Sequence, residues 1–596
     1  MKMESYDLSL REIFDKKNYL FEIPNYQRSY VWEKDEISEY LKDITYCYEE
    51  NSQGRKYEHF IGQMIFRTIK EDRAARNILE VVDGQQRLTT TTLMVAAIYR
   101  LILIYDDVAD QNVLNILRDL KKEYIISEAD RGTTCRKLKL SSRDNTILTE
   151  IATVKEEKIT DEFEFQCTYE SERRILSAYE QIFKYLEGYF KSLTVSSWAK
   201  SLYNFVDVIL RNISVVMIKP KSIGYSYALY QIVNDRGVLL TPAELLKART
   251  MELLHNNPVL FNKCEEAWND ILNDPGNETT KYLTWHYAAM ADQSVAKSKL
   301  HEMYEKKIFL CHGKHNITDD EQIELSKQIH LLHQSVKWCR ELSIGKLPAD
   351  NIHPQISDMF SALVVGLKNE IAIPIYINAL RINSEKIKKK FIPFITVLIS
   401  RFFFSTRTIA NIHNGTISSV YNTLSSLAKE ESVDYEKMIE VCRKKQIDKS
   451  VPNAFSINMD DSIYSKTATP VSKYLLYLIE LFHGCTDVTY KHILERDESM
   501  TIIFEKVTTE HIAARSGMDG NVLTEHQRDC LGNLTLLGGN KNNDLDDKPF
   551  SYKKEIYKNS PFSMTRDVAI NNNWEKEVFE SRQIEMKEKA IKIFII

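Results

Sequence analysis

Near the C-terminus of this 596-residue chain, two short runs with strand character are set apart by one polar stretch and followed by another. Residues 507–512, Val-Thr-Thr-Glu-His-Ile, form a β-branched run that ends in an acid and an imidazole. Residues 531–537, Leu-Gly-Asn-Leu-Thr-Leu-Leu, read as a second strand with an Asn near its start. Gly538-Gly539 turns the chain, and residues 540–554 are polar enough for a loop leading into a helix. The order is strand, strand, helix, carrying His511, Asn533 and Asn542 in turn. Adjacent residues on a regular strand point to opposite faces, so Glu510 and His511 share one site only at a strand end or bulge. The competing pair Glu525-His526 lies too close to Asn533 to leave room for two strands and a loop.

This layout resembles a ββα-metal (HNH, His-Me finger) nuclease. Glu510-His511-Ile512, residues 531–537, Asn542 and Pro549-Phe550-x-x-Lys553 resemble the nuclease half of GmrSD-type, modification-dependent (type IV) restriction enzymes. Where that family usually carries a Pro shortly after the His-Ile, Ala513-Ala514-Arg515 stands here. The resemblance implies phosphodiester hydrolysis, with His511 as the base that deprotonates water. The side-chain carbonyl of Asn533 is expected to accept the other ring N–H. Glu510 and the amide oxygen of Asn542 are hard oxygen ligands suited to Mg²⁺ or Mn²⁺, which would neutralise charge on the pentacovalent phosphate. Lys553 is a candidate DNA contact.

Length allows three domains. A hydrophobic content of 43% with 27% charged residues is ordinary for a soluble globular protein. The net charge of −5 means that a nucleic-acid surface must be a local patch rather than a global field. The basic runs 386–390, with Lys388, Lys389 and Lys390, and Arg443-Lys444-Lys445 are the best phosphate-contact candidates. Nine Cys without a CxxC pair fit reduced thiols in a cytosol. Residues 1–14 carry charges too often for a signal peptide, and the longest apolar run, 391–404, is broken by Arg401 and too short to span a bilayer. A cytoplasmic protein without a membrane partner is expected. Cys311-His312-Gly313-Lys314-His315 looks like a ligand cluster, but no second Cys/His pair lies at zinc-finger spacing.

In the N-terminal part, an extended segment interrupted by Pro24 leads into a helix with Ile37, Tyr40, Leu41, Ile44 and Tyr48 on one stripe. Strands are expected at 60–66 and 78–82. The second runs into Asp83-Gly84-Gln85-Gln86-Arg87, and a helix begins at Leu88. A strand–Gly turn–helix junction gathers free backbone N–H groups and the positive end of a helix dipole, which suits a phosphate. Arg87 could add a bidentate contact, and Asp83 could hold a metal or orient water. There is no GxxxxGK[ST], so a P-loop is excluded. The motifs Ile-Pro-x-Tyr-Gln-Arg-x-Tyr-x-Trp at 23–32, Asp-Gly-Gln-Gln-Arg at 83–87 and Asn234-Asp235-Arg236-Gly237 resemble the GmrS half of the same enzymes. That half is a ParB-like domain and implies binding and hydrolysis of an NTP by Gln27, Arg28, residues 83–87, Asn234, Asp235 and Arg236. Tyr26, Tyr30 and Trp32 offer aromatic faces for DNA beside Gln27 and Arg28 or serve equally as core residues, the place expected for Trp32. Thr241 reads as an N-cap with Glu244 as its capping-box partner.

From 253 to about 428 almost everything has helical period, including 323–342, 387–404 and 417–427. The expected architecture is a mostly helical α+β multidomain protein. It comprises a ParB-like sensor at 1–252, a helical connector at 253–430 and an HNH nuclease at 431–596. The resemblance implies an anti-phage endonuclease that cuts modified DNA under NTP control. The modification would be glucosylated hydroxymethylcytosine, or a backbone phosphorothioate as in SspE-like members. Two alternatives stay open: a nucleotide-gated DNA-binding scaffold with a non-catalytic HNH remnant, and a toxin-like RNA nuclease. The oligomeric state, a homo-oligomer included, is also open.

Overall fold

The computed structural model describes residues 4–596 apart from 16–18, 24–28, 72–76, 108, 129–133, 141–143, 153–164, 194–196, 220–240, 274–277, 315, 430–432, 467–468, 521, 540–544 and 546. The chain divides into two compact units, 1–278 with 309–330, and 279–308 with 331–596. The fold is mostly helical with a small mixed sheet.

In the first unit, six strands form one sheet: β1 (Glu4–Ser9), β2 (Tyr19–Glu22), β3 (His59–Glu71), β4 (Asn77–Asp83), β7 (Leu138–Lys139) and β8 (Ile213–Lys219). Their order is β1-β8-β3-β4-β2-β7, and β5 (Ile126–Glu128) and β6 (Thr134–Arg136) make a separate ribbon. The pairs β1–β8 and β3–β4 are antiparallel, whereas β3–β8, β4–β2 and β2–β7 are parallel. Helices Lys34–Ser52, Gln85–Tyr105, Glu170–Lys191 and Trp198–Asn212 supply the apolar faces of one continuous core. The Thr241 cap is present: its hydroxyl accepts from the Glu244 N–H at 3.3 Å, and the Glu244 carboxylate accepts from the Thr241 N–H at 2.7 Å.

The second unit packs helices around the antiparallel pair β9 (Val507–His511) and β10 (Leu534–Gly538). The expected second strand starts three residues late, because Leu531–Asn533 forms a 3-10 turn. A helix of the supposed connector, Pro354–Ser361, grips the chain just before β9. Gln355 exchanges hydrogen bonds with both backbone groups of Ile502, and Asp358 accepts from the Phe504 N–H at 3.1 Å. Helical scaffold and strand pair are thus one packed body. Helix Gln85–Tyr105 and the stretch Glu385–Ile409 are long and apolar enough to cross a membrane, but 83% of each apolar window is buried inside the protein.

His286, fully buried in this unit, has Nδ1 2.7 Å from the Tyr304 hydroxyl, which donates to the Leu283 carbonyl. Burial pushes its pKa down to about 3, with Arg381 and Lys429 adding to the effect. A folded-state pKa below the unfolded value means that the unfolded chain takes up the proton first. Stability should therefore fall by about 1.4 kcal/mol per pH unit below pH ~6.5, from this residue alone. Urea unfolding of wild type and His286→Gln across pH 7 to 4 checks this; the variant should lose that share of the slope.

Candidate active site

His511 is the last residue of β9 and pairs with Leu534, while Glu510 pairs with Thr535. The strand-end position expected for the imidazole is therefore found. Alternation still separates the two side chains. Glu510 is 1% exposed, and its Oε1 lies 2.8 Å from Lys553 Nζ and accepts from the Tyr557 hydroxyl at 2.8 Å. Lys553 and Tyr557 are four residues apart on helix Phe550–Lys558, so one helix face carries both. The same Lys553 Nζ donates to the His511 carbonyl at 2.7 Å. Lys553 is fully buried, which removes it from the candidate DNA contacts.

Asn533, also fully buried, does not serve the imidazole. Its Oδ1 accepts from the Ala513 N–H at 2.8 Å and from Trp574 Nε1 at 3.0 Å. Its Nδ2 donates to the Ala513 carbonyl at 3.0 Å and the Arg528 carbonyl at 2.9 Å. Both donors and both acceptor positions are engaged. Asn533 fixes the chain leaving His511, not the ring. The adjacent Gly532 leaves no room for a side chain: a Cβ there would meet backbone of Gln583 at 2.9 Å.

The ring finds another partner. His511 Nε2 is 3.2 Å from Oδ1 of Asp529, a buried carboxylate, and the Tyr464 ring stands edge-to-face at 4.5 Å. Arg515 Nε reaches the same Oδ1 at 3.1 Å, Nη2 reaches Oδ2 at 3.4 Å, and the guanidinium lies 5.1 Å from the Tyr464 ring centroid. The His511 pKa is lowered, first by burial and further by Arg515 and Lys553, while Asp529 opposes the shift. The imidazole is consequently neutral at neutral pH, the form a base requires. Arg515 occupies the stretch where the resembling family has its Pro, and that departure was a signal for it. Asp529 sits in a polar stretch with no periodicity to mark it.

The metal set expected from Glu510 and Asn542 is not assembled by the described residues. Asn542 lies outside them, and Glu510 is already matched by an ammonium and a phenol hydroxyl. Among the described residues no group of three or more His, Cys, Asp or Glu side chains is arranged to hold a metal ion.

In the N-terminal unit, Gly84 (φ +93°) opens helix Gln85–Tyr105, and a Cβ there would meet Met64 at 2.7 Å. The side chains of the motif bind their own fold. Gln86 Oε1 accepts from the Val31 N–H at 3.0 Å, and its Nε2 donates to the Ser29 carbonyl at 3.3 Å. Arg87 Nη1 donates to the Gln63 carbonyl at 2.8 Å, which makes it a partly buried group rather than an exposed charge. Gln85 is buried, and Asp83 closes β4. Tyr30 is buried with its hydroxyl 2.8 Å from Thr90, so it presents no aromatic face to DNA. The structure does bring the first two motif segments together. Tyr26, Gln27, Arg28, Asn234, Asp235 and Arg236 lie outside the described residues. Lys389 and Lys390 are exposed, and Lys388 pairs with Glu385 at 2.7 Å.

Removing one partner of a buried ion pair leaves an uncompensated charge, whereas replacing both by apolar groups is often tolerated. Lys553→Met should cost about 3–5 kcal/mol in urea unfolding, and Glu510→Leu/Lys553→Met should recover most of it. Simple addition of the two single effects would mean that the pair is not the constraint described.

Comparison with protein families finds two matches. A model described as the GmrSD restriction endonuclease N-terminal domain matches residues 10–251. A model described as the C-terminal domain of GmrSD restriction endonucleases matches residues 452–589. No curated protein matches the chain. The two matched regions cover more than half of the sequence and coincide with the two motif-bearing regions. The chain therefore belongs to the GmrSD family of type IV restriction endonucleases, nucleases of defence whose substrate is DNA.

Proposed function

We propose that the C-terminal site hydrolyses phosphodiester bonds of modified phage DNA in the cytoplasm by HNH (His-Me finger) chemistry. We propose further that the N-terminal half is a ParB-like domain whose NTP binding and hydrolysis regulate the cut. One observation carries the nuclease reading: His511 ends β9 as a buried imidazole held against Asp529, followed by β10 and helix Phe550–Lys558 in the ββα order. In this reading His511 takes the proton from the water that attacks phosphorus. Dependence on Mg²⁺ or Mn²⁺ belongs to the proposal because the pentacovalent phosphate gathers charge that a divalent ion neutralises. For the nucleotide, the support is the first turn of helix Gln85–Tyr105, which follows Gly84 beside Arg87 and takes no side-chain cap from Gly84.

The test uses duplex DNA containing glucosylated hydroxymethylcytosine or phosphorothioate linkages, with unmodified DNA as control, each with and without NTP. His511→Ala should lower cleavage by about 10²–10⁴-fold and leave nucleotide hydrolysis near the wild-type rate. Arg87→Ala should abolish hydrolysis and fix cleavage at one low level that no longer depends on NTP. EDTA should stop cleavage. Full cleavage by His511→Ala would move the chemistry elsewhere, and full cleavage in EDTA would remove the metal from the mechanism.

A further inference from the structure

We infer that Asp529 is the positioning residue of the His511 base: it holds the ring in one tautomer, so that Nδ1 is the atom that takes the proton from water. The inference rests on the reading of His511 as the base and names the atom and the partner through which it works.

The argument is one of donors and acceptors. An ionised carboxylate only accepts, so the 3.2 Å approach of Asp529 Oδ1 to Nε2 requires the ring hydrogen to sit on Nε2. In a neutral ring, Nδ1 is then the lone-pair nitrogen. Asn533 cannot set the tautomer, since its amide is saturated by Ala513, Arg528 and Trp574. Tyr464 faces the ring edge-to-face at 4.5 Å, a contact that fixes the plane without selecting a nitrogen. Asp529 is itself well held. Its backbone carbonyl accepts from the Tyr464 N–H at 3.1 Å, and its carboxylate takes both Arg515 bonds. Carboxylate, ring and aromatic wall are thus one unit.

The shared oxygen decides which variant is informative. In Asp529→Asn, an amide oxygen at the Oδ1 position still accepts from both His511 Nε2 and Arg515 Nε, so the tautomer is kept. Asp529→Ala removes the acceptor at Nε2 and keeps the backbone bond to Tyr464, so the ring hydrogen is no longer held on Nε2.

The test is ¹⁵N NMR of His-labelled full-length protein near neutral pH, with the His511 signals assigned by their loss in His511→Gln. The wild type and Asp529→Asn should show the Nε2–H tautomer, and Asp529→Ala a mixture of the two tautomers. With bis(p-nitrophenyl) phosphate and Mn²⁺, Asp529→Ala should lower kcat by about 10²-fold with KM little changed, and Asp529→Asn should restore part of it. An Nδ1–H tautomer in the wild type overturns the inference even if the variants fail to fold. So does an Asp529→Ala protein with wild-type kcat beside an inactive His511→Ala. Wild-type activity in His511→Ala would instead remove the base assignment itself, a different failure.

Discussion

A single buried ammonium holds the end of β9 to the helix that follows the strand pair. Lys553 has no exposed surface, yet its Nζ meets the Glu510 carboxylate at 2.8 Å and the His511 carbonyl at 2.7 Å. Burying such a charge is costly unless it is paired and hydrogen-bonded, and here it is both. Tyr557, one turn further along the helix, completes the arrangement from the same face. The helix therefore cannot slide along the strand without stranding a charge. That fixed register sets where the backbone of His511 stands.

The strand pleat divides the polar chemistry into two compartments. On one face Glu510 is neutralised by Lys553 and Tyr557; on the other, His511 faces Asp529 and Tyr464. Were the acid and the imidazole on one face, the carboxylate would stabilise the imidazolium and raise the ring pKa. Instead, burial outweighs the pull of Asp529 on the ring, and Arg515 and Lys553 act in the same direction as burial. The outcome is a ring that is oriented by a carboxylate without being protonated by it.

Much of this was legible in the sequence wherever a local rule was sufficient. The strand at 60–66, the helix after Gly84, the Thr241 cap and the stripe from Ile37 to Tyr48 all follow from periodicity, turn chemistry or capping, and the structure has them. His511 at a strand end follows from the β-branched run that it closes. What sequence could not reveal was pairing over distance. Two partners of Asn533, Ala513 and Trp574, are 20 and 41 residues away, and Lys553 is 43 residues from Glu510. Lys553 looked like a surface group because a polar tip suggests solvent, but it buries its stem and finds specific partners for the tip. Tyr30, for which the sequence leaves a core place and a DNA-facing one equally open, lies in the core with its hydroxyl on Thr90.

The Leu-Gly-Asn segment illustrates why a recognisable motif need not be the chemistry. Gly532 is there because the helix Lys576–Phe594 comes so close that any Cβ would strike the backbone of Gln583. Arg582 from that helix donates to the carbonyls of Gly532 and Leu534 at 2.7 and 2.9 Å, closing the turn from outside. Asn533 closes it from inside by tying Ala513 and Arg528. The segment is a clamp that joins the start of β10 to the chain leaving His511, and every polar atom of the Asn533 side chain is used in the clamping. A residue so fully engaged cannot also turn an imbalance of protons at the ring. In the proposed mechanism, placing the proton on the ring falls to a group with a lone pair directed at the ring nitrogen, and among the described residues Asp529 has its carboxylate 3.2 Å from Nε2.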